Sequence, residues 1–484
     1  MALPTLRIIG FLIGIFLITL AVSMAIPVLT LVIYDRTGDI NSFVWSSLIT
    51  FIAGLALVIP GRPEHVHLRP RDMYLLTVSS WIVVCAFAAL PFLLTQHISF
   101  TDAWFESMSG ITATGATVLS GLDNMSPGIL IWRSLLHWLG GIGFIGMAVA
   151  ILPLLRIGGM RLFQTESSDR SEKVLPRSHM VAKYIVAIYV GFTLLGSLAF
   201  WAAGMGMFDA INHAMSAIST GGFSTSDQSL AKWHQPAVHW VAVVVMILGS
   251  LPFMLYVTVF RGHRLALFKD EQVRGFLGLL LIIWLVLGTW YWLTTNLHWL
   301  DALRHVAVNT TSVLTTTGFA LGDYSLWGNF SLMLFFYLGF VGGCSGSTAG
   351  GIKIFRFQVA YILLKANLKQ LVHPRAVIKQ NYNGHRLDDE IVRSILTFSF
   401  FFTIIICGIA LGLSLLGLDW ITALTGAAAT VSGVGPGLGE IIGPAGNFSS
   451  LPDSAKWLLT LGMLLGRLEI LTVLVLMTPY FWRH

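Results

Sequence analysis

The sequence predicts an all-α integral membrane protein: four pseudo-symmetric span–half-helix–loop–span repeats around one axis, preceded by two N-terminal transmembrane helices. Three observations lead there. The 484 residues have a mean hydropathy of +0.78 and only 11% charged side chains, less than half the ~25% of a soluble domain. The apolar residues come in blocks long enough to cross a bilayer. Between alternate pairs of blocks lie semi-polar stretches rich in Gly, Ser and Thr, too polar to face lipid and too short to be separate domains.

Spans are expected near 8–33, 42–60, 73–95, 129–155, 181–204, 237–260, 275–295, 329–355, 394–416 and 456–481. The first is longer than the ~7–15-residue core of a cleaved signal and reads as a retained helix. The implied units are 1–60 for the two leading helices, then repeats at 61–160, 161–264, 265–385 and 386–484. Most of the 29 Lys and Arg residues gather on one side, in 61–72, 156–183, 261–274 and 365–393, which marks the cytoplasm and places both termini there. Arg36, Arg133, Lys232, Arg304 and Lys456 fall on the other side, where acids outnumber them and would concentrate cations. The +6 net charge follows this topology and implies no nucleic-acid partner. Cys85, Cys344 and Cys407 lie in or beside apolar blocks without metal spacing and read as buried small hydrophobes. His65 and His67 read as a solvated pair in a basic loop.

An Asp opens each semi-polar stretch: Asp102, Asp209, Asp301 and Asp419. A glycine follows 13, 13, 17 and 16 residues later: Gly115, Gly222, Gly318 and Gly435. Each Asp suits the N-cap of a short helix starting at the outer surface. About a dozen residues give ~18 Å of helix, a little over half the hydrocarbon core. Its partly negative C-terminus then points into the membrane, where a cation could rest. The chain must return as irregular backbone, tolerated at that depth only in protein or against a water-filled cavity. Glycine permits the dihedrals that aim carbonyls at one axis, and four such strands could replace the hydration shell of K⁺ in a central pore.

Specific strings carry a resemblance: Ser109-Gly110-Ile111-Thr112-Ala113-Thr114-Gly115-Ala116-Thr117, Ser219-Thr220-Gly221-Gly222-Phe223-Ser224-Thr225, Thr315-Thr316-Thr317-Gly318-Phe319, the run Gly342 to Lys353, Val372-His373-Pro374, Gly435-Pro436-Gly437-Leu438-Gly439 and Gly466-Arg467-Leu468-Glu469. Over nearly the whole chain the sequence resembles the Trk/Ktr/HKT superfamily of cation transporters, specifically its bacterial TrkH/TrkG branch. The resemblance implies K⁺ uptake across a bacterial inner membrane through a selectivity-filter pore formed by Thr114, Gly115, Gly221, Gly222, Thr317, Gly318, Val434 and Gly435. K⁺ would be the only bound metal, and no cofactor is implied. It also implies a homodimer with one pore per subunit and a separate cytoplasmic RCK-type regulatory subunit, TrkA, which would carry the nucleotide. Sodium-selective plant relatives carry Ser at the first filter position, so Gly115 favours K⁺. The fourth loop departs from the pattern: Gly433 stands where the family usually has Asn.

Within 329–355 the run Gly342 to Gly351 is a poor helix, because its glycines lose so much backbone entropy on ordering. It is expected to form an intramembrane loop just below the filter. By resemblance it is a gate, with Gly342, Gly343, Gly346, Gly350, Gly351, Lys353 and Arg467 as gating residues; a close-packing helix interface of small residues is the alternative. Arg467 lies deep in the last span and is expected to meet the carbonyls of this loop, or else to pair with Glu469. Lys353 would snorkel to the cytoplasm or tether the loop. The basic 365–393 stretch suits anionic lipid or docking of the regulatory subunit. An H⁺- or Na⁺-coupled symport carrier is the competing function, with Glu469 as its acidic candidate. An intramembrane enzyme needs a nucleophile–base pair or metal cluster at pore depth, and the sequence offers none.

Overall fold

The computed structural model describes residues 3–61, 69–150, 174–376 and 378–483. His65, His67 and much of the basic stretch 156–183 lie outside them. Among the described residues, seven helices are long and apolar enough to cross a bilayer: Thr5–Ile33, Thr37–Pro60, Arg71–Gln96, Pro127–Met147, Met180–Ala202, Glu271–Thr294 and Asp389–Leu415. Their outward faces carry exposed Leu195, Leu293, Phe400 and Leu415, an apolar belt no water-soluble surface sustains. The interior inverts this order. Ser107, Ser109, His213, Ser216, Asn309, Thr311, Ser312 and Thr430 are buried around the axis. Cys407 belongs to the outer belt, not to a packed core as expected; Cys85 and Cys344 are buried.

The second spans of the second and fourth repeats differ from expectation. The sequence marks a break only in the third, where Asn329–Val341 gives way to irregular chain before Ile354–Val372. The second repeat also breaks: Pro236–Ser250 turns 91° into Phe253–Phe260. Leu251, held extended (φ −89°, ψ 156°) ahead of Pro252, makes the corner. The fourth turns 114° between Asp453–Arg467 and Leu471–Met477, through Glu469 and Ile470 at positive φ. The first, Pro127–Ala150, runs unbroken.

Four half-helices stand between the spans: Phe100–Ile111, Met207–Ile218, Trp299–Leu314 and Trp420–Ser432. Only the last begins on its Asp, where the Asp419 carboxylate accepts from Thr422 N–H. Hydrogen bonding from the Thr422 side chain, aided by main-chain amides of the first turn, holds its carboxyl below the usual pKa. In the others Ser99, Gly206 and His298 occupy the cap, and Asp102, Asp209 and Asp301 sit in the first turn, where the helix dipole still favours a negative charge.

Glycines let these half-helices lie directly on the following span. A methyl on Gly140 would overlap the Ile111 carbonyl, and one on Gly466 the Val431 carbonyl. One on Gly249 would stand 2.6 Å from the Ile218 oxygen. The two leading helices cross equally closely through Gly14 and Gly54, and Leu31 and Phe43 seat on Gly128 of the first repeat. Two large apolar clusters result, one joining the leading helices with repeats one and four, the other repeats two and three.

A two-residue hairpin, Asn381–Tyr382 against His385–Arg386, interrupts the basic stretch before the last repeat. Asn383 and Gly384 turn it at positive φ, the preference of a tight hairpin turn. Asn383 accepts from Glu271 N–H (2.8 Å) and donates to Asp270 (2.9 Å). The next residue, Gln272, accepts from Ser345 N–H (2.6 Å) in the third repeat's irregular segment.

The Gly249 contact has a measurable cost. Gly249→Ala should destabilise by about 1–3 kcal/mol through overpacking. It should melt in detergent below Gly278→Ala, whose methyl meets nothing within 4 Å; equal melting would remove close packing as the reason for this glycine.

Candidate functional site

All four half-helices end alike. Thr114 N–H donates to Ser109 O (2.9 Å), Gly221 to Ser216 (2.9 Å), Thr317 to Ser312 (2.7 Å) and Val434 to Ala429 (2.8 Å). The preceding amides reach three residues back: Ala113 to Gly110, Thr220 to Ala217, Thr316 to Val313 and Gly433 to Thr430. This pair of bonds is the Schellman ending, and it holds its turning residue left-handed. The φ values are 51°, 51°, 56° and 73°. Side-chain-bearing residues there cost ~1–2 kcal/mol, and Gly433 escapes that cost. Asn is the other residue that tolerates this conformation, so the departure at Gly433 leaves the turn intact.

The next residues close a ring. Gly115, Gly222, Gly318 and Gly435 have φ of +89°, +87°, +86° and +98°. A methyl on Gly115 would overlap the carbonyl oxygen of Gly221, one on Gly222 that of Thr317, and one on Gly318 that of Val434. On Gly435 it would stand 2.6 Å from the oxygen of Thr114. Each obstructing oxygen belongs to the residue just before the next repeat's glycine, and the fourth returns to the first. Thr114, Gly115, Gly221, Gly222, Thr317, Gly318, Val434 and Gly435 are thus brought together as one main-chain ring without room for a side chain. The first and fourth repeats are joined further by Phe448 N–H donating to Thr117 O (2.8 Å) and by Lys456 paired with Asp102 (2.6 Å).

The irregular segment lies against the half-helix ends, as the sequence suggested. Its neck closes where Gly342 and Gly351 face one another, each too near the other's backbone for a methyl, and Ile352 N–H donates to Phe340 O (2.9 Å). Gly350 N–H donates to Thr316 Oγ1 (2.6 Å) and Gly351 N–H to Ser432 O (2.8 Å). Thr348 Oγ1 donates to Ile218 O (3.0 Å) and Gly249 O (2.9 Å). Gly343 packs its Cα against Ala349 and Ser250, while Gly346 accepts from Phe253 N–H (3.0 Å).

Two cations complete it. Arg467 donates to Thr348 O (2.8 Å) and Gly140 O (3.3 Å) and lies over Phe144. Lys353 donates to Ala349 O, tethering the segment instead of snorkelling. Glu469 pairs not with Arg467 but with the buried Arg356 (2.7 Å). Between ring and segment remains a cavity of about 10 Å³, touched by Thr112, Thr114, Gly350, Lys353, Ser432 and Arg467, room for one water at most.

Sequence reasoning missed the charges behind the ring. Arg133 is buried (1% exposed), not at the outer face. It pairs with buried Glu106 (2.7 Å), donates to Ser224 O (2.9 Å) and covers the Phe223 ring. Arg133 inside an apolar block was the available signal, since a charge there needs a partner. The outer acids are also less free than their number suggested. Asp102 is bound by Lys456, Asp301 by Arg304 and Asp123 by Lys232. Partial burial raises the Asp123 pKa, but hydrogen bonds from Lys232 and Ser226 outweigh it and leave the carboxyl below its usual value.

Known proteins resemble this chain in sequence and fold. The family model for TrkH, described as a cation transport protein, matches residues 40–483. The Trk system potassium uptake protein TrkI of Halomonas elongata is 50% identical over 96% of this chain and 95% of its own length. The Trk system potassium uptake protein TrkH of Vibrio parahaemolyticus is 37% identical over 99% of both. The crystal structure of the potassium transporter TrkH from Vibrio parahaemolyticus superposes with a TM-score of 0.91 at 36% identity, over 99% of this chain and 100% of that one. Sequence and fold agree from the second helix to the C-terminal end: the chain belongs to the TrkH family of cation transport proteins.

Proposed function

We propose that this chain takes up K⁺ through a central pore, with the main-chain ring as its selectivity filter and the 342–351 loop as its gate. The closed cycle of carbonyl-to-glycine contacts carries this reading. It gathers oxygens from four chain reversals at one place, as replacement of a K⁺ hydration shell requires. The names of the two curated relatives above, both potassium uptake proteins, support K⁺ as the ion. In this reading Lys353 and Arg467 add positive charge under the ring and oppose cation passage while the loop is in place.

The setting is a bacterial inner membrane, with the basic side and both termini cytoplasmic. Two copies assemble side by side, one pore each, and a TrkA-type nucleotide-binding subunit docks on the basic face to displace the loop. The Asn383 contacts to Asp270 and Glu271, one residue from the Gln272–Ser345 bond, give such a partner a short connection to the gate. A coupled carrier would need a titrating group in the ion's path. Glu469 and Glu106 are each engaged by an arginine, which favours the channel-like reading.

Flux in liposomes tests it. Gly115→Ser should lower the K⁺-over-Na⁺ preference by about tenfold, a ~1.4 kcal/mol change at one oxygen ring; an unchanged ratio in folded protein removes the filter assignment. Deleting residues 345–348, or replacing Arg467 by Gln, should raise basal K⁺ flux by about tenfold or more, the effect of lowering a barrier by ~1.4 kcal/mol. Flux that stays equal or falls in well-folded protein would mean that the loop is not the barrier.

A further inference from the structure

Nine positions before the ring glycines stand Glu106, His213, Asn309 and Gly426. The first three are fully buried, and each reaches across to the returning strand of its own repeat. The Glu106 carboxylate accepts from the Thr117 hydroxyl and from Val118 N–H, each at 3.0 Å. His213 Nε2 shares a hydrogen bond with the Ser224 hydroxyl (2.9 Å). Asn309 accepts from Leu321 N–H (2.8 Å) and donates to Leu321 O (3.1 Å). Gly426 has no side chain to offer, and the preceding residue takes over: the Thr425 hydroxyl accepts from Leu438 N–H (3.0 Å). In every repeat the gripped residue lies two or three places past the glycine. One strut is therefore built from a carboxylate, an imidazole, an amide and a hydroxyl.

The struts also reach their neighbours. Arg133, which holds Glu106, donates to Ser224 O in the second loop, and Arg133 and His137 each lie 4.0 Å from the Phe223 ring. His213 in turn stacks on Phe319 of the third loop at 5.5 Å. Each returning strand is thus fixed at its base by the turn of its half-helix and above the glycine by a strut.

We infer that Glu106, His213, Asn309 and Thr425 are positioning residues that set the spacing of the four carbonyls and hence the choice among monovalent cations. This rests on reading the ring as an ion-selective filter. A site discriminates only when its supports hold the reacting groups within about 0.5 Å; the struts hold each returning strand two or three residues past its glycine, from the half-helix of the same repeat, while His137 and Ser229 of the preceding repeats add grips on Phe223 N–H (3.5 Å) and Ala320 N–H (3.2 Å).

Two struts carry no ion pair and give clean tests in the full-length chain. Thr425→Val keeps the volume and removes the hydroxyl, Thr425→Ser restores it, and Asn309→Leu removes both amide contacts. The readout is the K⁺:Na⁺ permeability ratio from reversal potentials in planar bilayers, with yield and monodispersity as a check on folding. Thr425→Val and Asn309→Leu should each lower the ratio about tenfold, the effect of one buried N–H left unpaired, and Thr425→Ser should retain it. If Gly115→Ser shifts the ratio while the folded Thr425→Val does not, the strut inference is overturned and the filter reading stands. Should even Gly115→Ser leave the ratio unchanged, both fall. A Thr425→Ser ratio as low as that of Thr425→Val also overturns the inference, because the hydroxyl is then not the cause. If Asn309→Leu does not fold, the Thr425 pair decides.

Discussion

Inside a bilayer the main chain has no water to bond, and each unpaired N–H or C=O there costs several kcal/mol. Four times this chain ends a helix at mid-depth and returns as irregular backbone. The structure is organised around meeting that demand. The Schellman endings satisfy the last amides, the struts hold the returning strands, and the carbonyl before each ring glycine rests against the glycine of the neighbouring repeat. Polar residues line the centre because the backbone there needs partners, and apolar residues cover the outside because lipid does.

The same demand accounts for the loop from Gly342 to Lys353. It too is irregular chain at depth, and its amides bond to Ser250, Gln272, Thr316, Phe340 and Ser432. Its hydroxyls and carbonyls engage Ile218, Gly249, Phe253 and Arg467. The ring and the loop share these supports. A movement that frees the loop must exchange these bonds for others, and water entering the vacated space is the natural replacement.

How much of this was legible in the sequence depended on where the cause lay. The recurring Asp and Gly gave the half-helices and the ring, because left-handed turns and close backbone approach leave glycine as their mark. The break in the third repeat was legible for the same reason. Pro252 marked the second bend, although a continuous span was expected there. The bend at Glu469 and Ile470 bears no local mark, since neither residue favours positive φ; Arg356, from another helix, holds Glu469 in place. The struts were hidden differently. Four unlike side chains share one place in the geometry, so no string repeats, and Glu106 and Arg133 meet only after the first loop has folded between them.

The ring is directional: repeat one leans on two, two on three, three on four, and four returns to one. Nothing within the first three quarters of the chain can supply the final contacts, which come from Val434, Gly435, Phe448 and Lys456. During synthesis the early repeats must wait in the membrane as an open arc, their inner polar faces unsealed, until the last hairpin wedges in. A chain cut short before the fourth repeat therefore lacks the contacts that close the ring and leaves the seam between repeats one and three open.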